Sequence, residues 1–111
     1  VLPDYVVVGT SKAALEALVR YLGAELAPNN IAVNAISPGV VLTDALQHFD
    51  SFREDNFSLV DRVKEATPAG RLCTPADVAG LVSFLSSPAG RMICGQTIVM
   101  DGGHSLPLQQ A

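Results

Sequence analysis

The sequence predicts an α/β fold built on parallel strands, and three observations carry that reading. A long helical stripe leads into a short apolar run closed by Ser37-Pro38-Gly39. A second, well-capped helix leads into another short apolar run, Thr97 to Met100. Neither run alternates with polar residues as a half-exposed strand does, so both read as buried strands of a parallel sheet.

The elements follow in order. From about Val8 to Ala27, Leu15, Leu18, Val19, Leu22 and Leu26 recur at helical spacing, and Pro28-Asn29-Asn30 ends the helix. Ala13, Ala14, Ala17 and Ala24 favour the same helix by propensity alone. Ile31 to Ile36, apolar except at Asn34, is the first strand. Thr43 to Thr67 is the least apolar stretch and reads as one or two amphipathic helices over a cleft. Thr74-Pro75-Ala76-Asp77 opens another helix, with Thr74 as N-cap, Pro75 at the first position and Asp77 in the first turn. Ser86 to Gly90 ends it, Thr97 to Met100 is the second strand, Gly102-Gly103 turns the chain, and Leu106 to Ala111 is a tail.

The bulk properties exclude several functions. With 111 residues, 49% of them hydrophobic and 16% charged, and a mean hydropathy of +0.33, the chain reads as ordered, with apolar faces that need partners. A net charge of −4 argues against nucleic acid, whose binding needs a basic surface to release counterions. Cys73 and Cys94 form no CxxC and the histidines, His48 and His104, sit at unrelated spacings, so no metal site is expected. Two thiols of this kind suit a reducing cytosol, and no apolar run approaches the 18 or so residues of a membrane span. None of the nine glycines forms a G-x-G-x-x-G loop, so a phosphate-cradling turn is missing. With only two strands and its first tyrosine at position 5, the chain reads as part of a longer protein.

The chemistry concentrates at Tyr5 and Lys12. Seven helical positions are about two turns, which brings both side chains to one face. An ammonium near a phenol favours the phenolate and makes a tyrosine a usable proton donor near neutrality.

Tyr5-x6-Lys12, the flanking Gly9-Thr10-Ser11-Lys12-Ala13-Ala14-Leu15-Glu16-Ala17-Leu18, Asn34-Ala35-Ile36-Ser37-Pro38-Gly39 and Gly95-Gln96-Thr97-Ile98-Val99-Met100-Asp101-Gly102-Gly103 resemble, in this order, the C-terminal half of a short-chain dehydrogenase/reductase. Most members carry the catalytic tyrosine four positions before the lysine, where this chain has Val8. The wider spacing, with Thr43-Asp44-Ala45-Leu46, is most similar to the bacterial type III enoyl-acyl-carrier-protein reductases.

The resemblance implies a Rossmann-like, doubly wound parallel sheet, of which residues 1–111 supply only the C-terminal half: about two parallel strands and three to five helices. The cofactor-binding N-terminal half lies elsewhere. It implies reduction of the α,β-double bond of an enoyl thioester, carried on acyl carrier protein or coenzyme A, with NADPH or NADH as hydride donor. Tyr5 is the implied hydrogen-bond donor to the thioester oxygen, and Lys12 the group that holds the nicotinamide ribose and biases the tyrosine. Pro38, Gly39, Val41 and Thr43 are the implied cofactor-binding positions at the nicotinamide ring. The segment of about 43–67 is the implied lid, with Phe49, Phe52 and Phe57 as candidate acyl contacts or simple anchors of the lid. A cytoplasmic homo-oligomer, dimer or tetramer, is expected, with no nucleic-acid or membrane partner. Two alternatives stand beside this: another short-chain dehydrogenase/reductase acting on a carbonyl or alcohol, and a catalytically silent fragment serving as an interaction or oligomerisation piece.

Overall fold

A computed structural model of the chain describes residues 3–44 and 58–106. Along it run α1 (Val6–Leu26), β1 (Ala35–Pro38), α2 (Leu59–Ala66), α3 (Pro75–Leu85) and β2 (Thr97–Met100), with short 3₁₀ turns at Ala27–Asn29 and Pro88–Gly90. The strands form one two-stranded sheet. Ala35 N–H donates to the Gln96 carbonyl at 2.8 Å and Gly39 N–H to the Met100 carbonyl at 3.0 Å, so the partners advance together and the pairing is parallel. Two parallel strands with three helices are what the sequence implied.

The chain falls into two compact units. The first comprises residues up to Ile36 with Phe84–Ile98, the second Ser37–Ser83 with the residues from Val99 onward. Each strand begins in the first unit and ends in the second.

In the first unit, α1 begins two residues before the expected Val8. It buries Val19 and Gly23, one turn apart. Gly23 is there because something comes close: a Cβ at this position would lie 2.9 Å from both Cα and N of Gly95 and 3.3 Å from Cys94 Sγ. The Cys94 thiol donates to the Gly23 carbonyl at 3.3 Å. Asn30, in the left-handed region with φ 65°, stops the 3₁₀ turn after α1. The Arg91 guanidinium donates to its side-chain oxygen.

The first strand corrects the sequence expectation. It runs from Ala35 to Pro38, not from Ile31 to Ile36. Before Ala35 the pairing is irregular: Gly95 N–H still donates to the Val33 carbonyl at 2.7 Å, but β2 begins only at Thr97, and the Ala35 N–H bond to the Gln96 carbonyl sets Ala35 against Thr97. Asn34 instead bridges with its side chain, donating from Nδ2 to the Ile93 carbonyl at 2.7 Å and accepting Gln96 N–H at 3.1 Å. Ile31, expected inside a buried strand, is exposed.

In the second unit, α2 starts at Ser58, whose hydroxyl accepts Asp61 N–H at 3.0 Å. It ends at Thr67, which is buried. Before α3, Asp77 N–H donates to the Thr74 hydroxyl at 3.2 Å, while Thr74 N–H and O–H both donate to the Asp77 carboxylate, at 2.8 and 2.9 Å. This reciprocal capping box meets the sequence expectation at Thr74 and Asp77. Arg71 adds a two-pronged bond to the same carboxylate, at 2.6 and 2.9 Å.

Among the described residues the buried apolar side chains are Val19 and Leu72. Val6, Val7, Tyr21, Met92 and Leu106 are exposed beyond two thirds of their surface. No helix among the described residues is long and apolar enough to cross a membrane.

Candidate active site

Tyr5 occupies the N-cap of α1, with φ −104° and ψ 10°, and its carbonyl accepts Gly9 N–H at 2.7 Å, closing the first turn. Its ring lies along that turn: a Cβ on Gly9 would stand 3.8 Å from the ring Cδ1. Gly9 leaves that flank of the ring open, a role the spacing argument did not single out. Lys12 is exposed two turns further, a rise of roughly 10 Å. Both side chains are long enough to reach a ligand of about sugar size, the phenol at one end and the ammonium at the other. Val8, on the intervening turn, is 41% exposed and brings no ionisable group.

Tyr5 and Lys12 belong to the first unit, and the Pro38 to Thr43 loop to the second. Pro38 closes β1, and Gly39 lies over the start of the turn after β2, where a Cβ would come within 3.1 Å of both Cα and Cβ of Asp101. Only a glycine accommodates that approach without displacing backbone.

Val41 forms an isolated parallel bridge with Cys73, and Leu42 N–H donates to the Cys73 carbonyl at 2.8 Å. In such a bridge the groups aimed at the partner belong to the neighbours of the bridging residue. The N–H and C=O of Val41 itself therefore face away from Cys73. A donor and an acceptor side by side on a braced backbone suit a carboxamide, and they lie beyond the carboxyl end of β1, where parallel sheets bind ligands. Thr43, two residues on, is exposed on the same loop. These positions fit the carboxamide end of a nicotinamide cofactor.

Asp101, which backs Gly39, has its carboxyl held below the ordinary carboxylate range, first by hydrogen bonding from Ser105 and further by Gly103 N–H. Both backbone N–H groups reach it at 2.9 Å. Asp77 is likewise held well below that range, first by Arg71 and then by the bonds from Thr74. Arg71 was not singled out in the sequence; the only signal is an arginine six positions before an N-terminal helix aspartate. Phe49, Phe52 and Phe57 lie outside the described residues, as does His48. Cys73 and Cys94 are free thiols.

Comparison with known proteins bears on the family and the fold. The family model described as enoyl-(acyl carrier protein) reductase matches residues 1–105. The chain is 38% identical over 106 residues to the NADH enoyl-[acyl-carrier-protein] reductase FabI of Synechocystis sp., covering 96% of this chain and 40% of that protein. It is 42% identical over 101 residues to a tropinone reductase homolog of Arabidopsis thaliana, covering 88% of this chain and 36% of that one. Among solved structures, a short chain dehydrogenase family protein from Francisella tularensis superposes with a TM-score of 0.80 at 27% identity, over 96% of this chain and 46% of that chain. The chain thus spans less than half the length of these relatives. A parallel β-pair flanked by helices, a Tyr and a Lys two turns apart, and a family match over nearly its whole length make this chain a member of the short-chain dehydrogenase/reductase family.

Proposed function

We propose that this chain is the catalytic half of an NAD(P)H-dependent reductase acting on the α,β-double bond of an enoyl thioester bound to acyl carrier protein or coenzyme A. The observation that carries the reading is the placement of Tyr5 at the head of α1 with Lys12 two turns in and Val8 between them. A carbonyl reductase of the usual register needs a phenol where Val8 stands. The cofactor, when bound, supplies the hydride that adds to the β-carbon of the substrate.

The protein's part is electrostatic. Negative charge develops on the thioester oxygen as hydride adds, and the Tyr5 hydroxyl donates a hydrogen bond to it there, from a residue whose backbone is fixed by the first turn of α1. Lys12 holds the ribose hydroxyls. Val41 offers its outward N–H and C=O to the carboxamide, Thr43 its hydroxyl, and Gly39 keeps the loop close to Asp101. α2 lies over the acyl chain. The protein works in the cytoplasm as a homo-oligomer.

The test is a substrate comparison with the protein expressed from its complete reading frame. A crotonyl thioester should be reduced with NADPH or NADH, and simple ketones much more slowly. Preferential reduction of a ketone would replace this reading with a carbonyl reductase, and inactivity on both would favour a silent interaction piece.

A further inference from the structure

The turn after β2 meets two other elements of the second unit. On one side Asp101 backs Gly39, and Gly39 N–H is bonded to the neighbouring Met100 carbonyl. On the other side the same turn receives the end of α2. Ala69 N–H donates to the Gly102 carbonyl at 3.0 Å. The fit is tight: a Cβ on Gly102 would lie 2.8 Å from Thr67 Cγ2 and 2.9 Å from Ala69 Cβ, and one on Gly103 3.2 Å from Pro68 Cγ.

His104 completes the contact. The Thr67 hydroxyl donates to the Val63 carbonyl at 2.6 Å, which commits its proton within α2. Only its lone pairs remain for His104 Nδ1, 3.4 Å away, so the imidazole donates from Nδ1. Thr67 is 5% exposed, which shields this bond from competing water although the imidazole itself is exposed. The turn is stiffened from within, because the Asp101 carboxylate accepts N–H groups from both Gly103 and Ser105.

We propose that the Asp101 to His104 turn is a bracket that sets α2 against the Pro38 to Thr43 loop, with His104 as a positioning residue for acyl binding. It acts through Thr67 and touches neither substrate nor cofactor. This rests on the enoyl reductase reading, in which α2 lies over the acyl chain. Moving α2 away from the loop breaks the bonds from Ala69 to Gly102 and from His104 to Thr67, so loss of one should loosen the helix without unfolding the unit.

The experiment uses the protein from its complete reading frame, with His104→Ala and His104→Asn; the asparagine amide nitrogen stands where Nδ1 was. Hydrogen exchange of the 59–70 and 75–85 segments is followed alongside steady-state kinetics with a crotonyl thioester. His104→Ala should speed exchange in 59–70 by about five-fold, the factor one ordinary hydrogen bond contributes, and leave 75–85 unchanged. The thioester KM should rise by a similar factor, with kcat and the cofactor KM little moved, and His104→Asn should restore both readouts. Unchanged exchange in 59–70 overturns the bracket. Faster exchange with an unmoved thioester KM overturns the positioning role. A wild-type protein that reduces no thioester removes the functional reading and the acyl-positioning role with it, while the exchange result alone then decides whether the bracket exists.

Discussion

Adding one methyl group at Gly23 and the same group at Gly80 should have opposite effects on stability. Both glycines sit inside helices, α1 and α3, where replacing glycine by alanine gains about 1 kcal/mol from backbone entropy alone. At Gly80 nothing lies within 4 Å of the new Cβ, so Gly80→Ala should stabilise by about 1 kcal/mol. At Gly23 the new Cβ meets Gly95 backbone at 2.9 Å and Cys94 Sγ at 3.3 Å, well inside the roughly 3.5–4.0 Å of a favourable carbon contact. Gly95 cannot easily retreat, because its N–H is bonded to the Val33 carbonyl at 2.7 Å and its φ is +71°. Overpacking of this kind costs about 1–3 kcal/mol. The helix gain offsets part of that, leaving Gly23→Ala about 0–2 kcal/mol less stable than the parent. The difference between the two variants cancels the propensity term and isolates the packing cost. Urea unfolding followed by circular dichroism on the complete protein measures it. Equal stabilisation by both substitutions would refute the close approach of α1 to the Cys94–Gly95 turn.

Thr74→Ala removes the hydroxyl half of the capping box and should cost about 1 kcal/mol, read as a lower urea midpoint at unchanged slope. The carboxyls of Asp77 and Asp101 titrate below their ordinary value of 3.8 in the folded chain. Their contribution is therefore complete above about pH 4 and is lost as pH falls through the depressed folded values. Stability should be flat from about pH 7 to pH 5 and fall below about pH 4, and Arg71→Met should make that acid limb shallower. An acid limb unchanged in Arg71→Met would mean that the Arg71 to Asp77 bond does not set it.

Much of the fold was legible because it rests on local signals. The stripe Leu15, Leu18, Val19, Leu22 and Leu26 placed α1 within two residues at its start, and β2 falls on the expected Thr97 to Met100. The Thr74-Pro75-Ala76-Asp77 cap was readable because its partners are three positions apart. Strand β1 was misplaced because apolar content says nothing about register. Its span is set by a partner sixty positions away, and Asn34 turned out to be a bridge between the two chain segments. The Tyr5 and Lys12 pair is a spacing, hence readable. The outward backbone of Val41 is not, since it depends on which side Cys73 approaches. For the same reason Gly102-Gly103 read only as a turn, when it is also the surface on which Thr67 to Ala69 rests.

Reduction of a crotonyl thioester by Tyr5→Phe, compared with the parent protein under saturating cofactor, bears most directly on the proposed chemistry. Loss of a single preorganised donor to a developing oxyanion lowers kcat by about 10²–10³, and that is the expected result, with the thioester KM changed little. A kcat within about two-fold of the parent, where a donor to the oxyanion would be worth at least about 10², would contradict it and remove Tyr5 from the reaction.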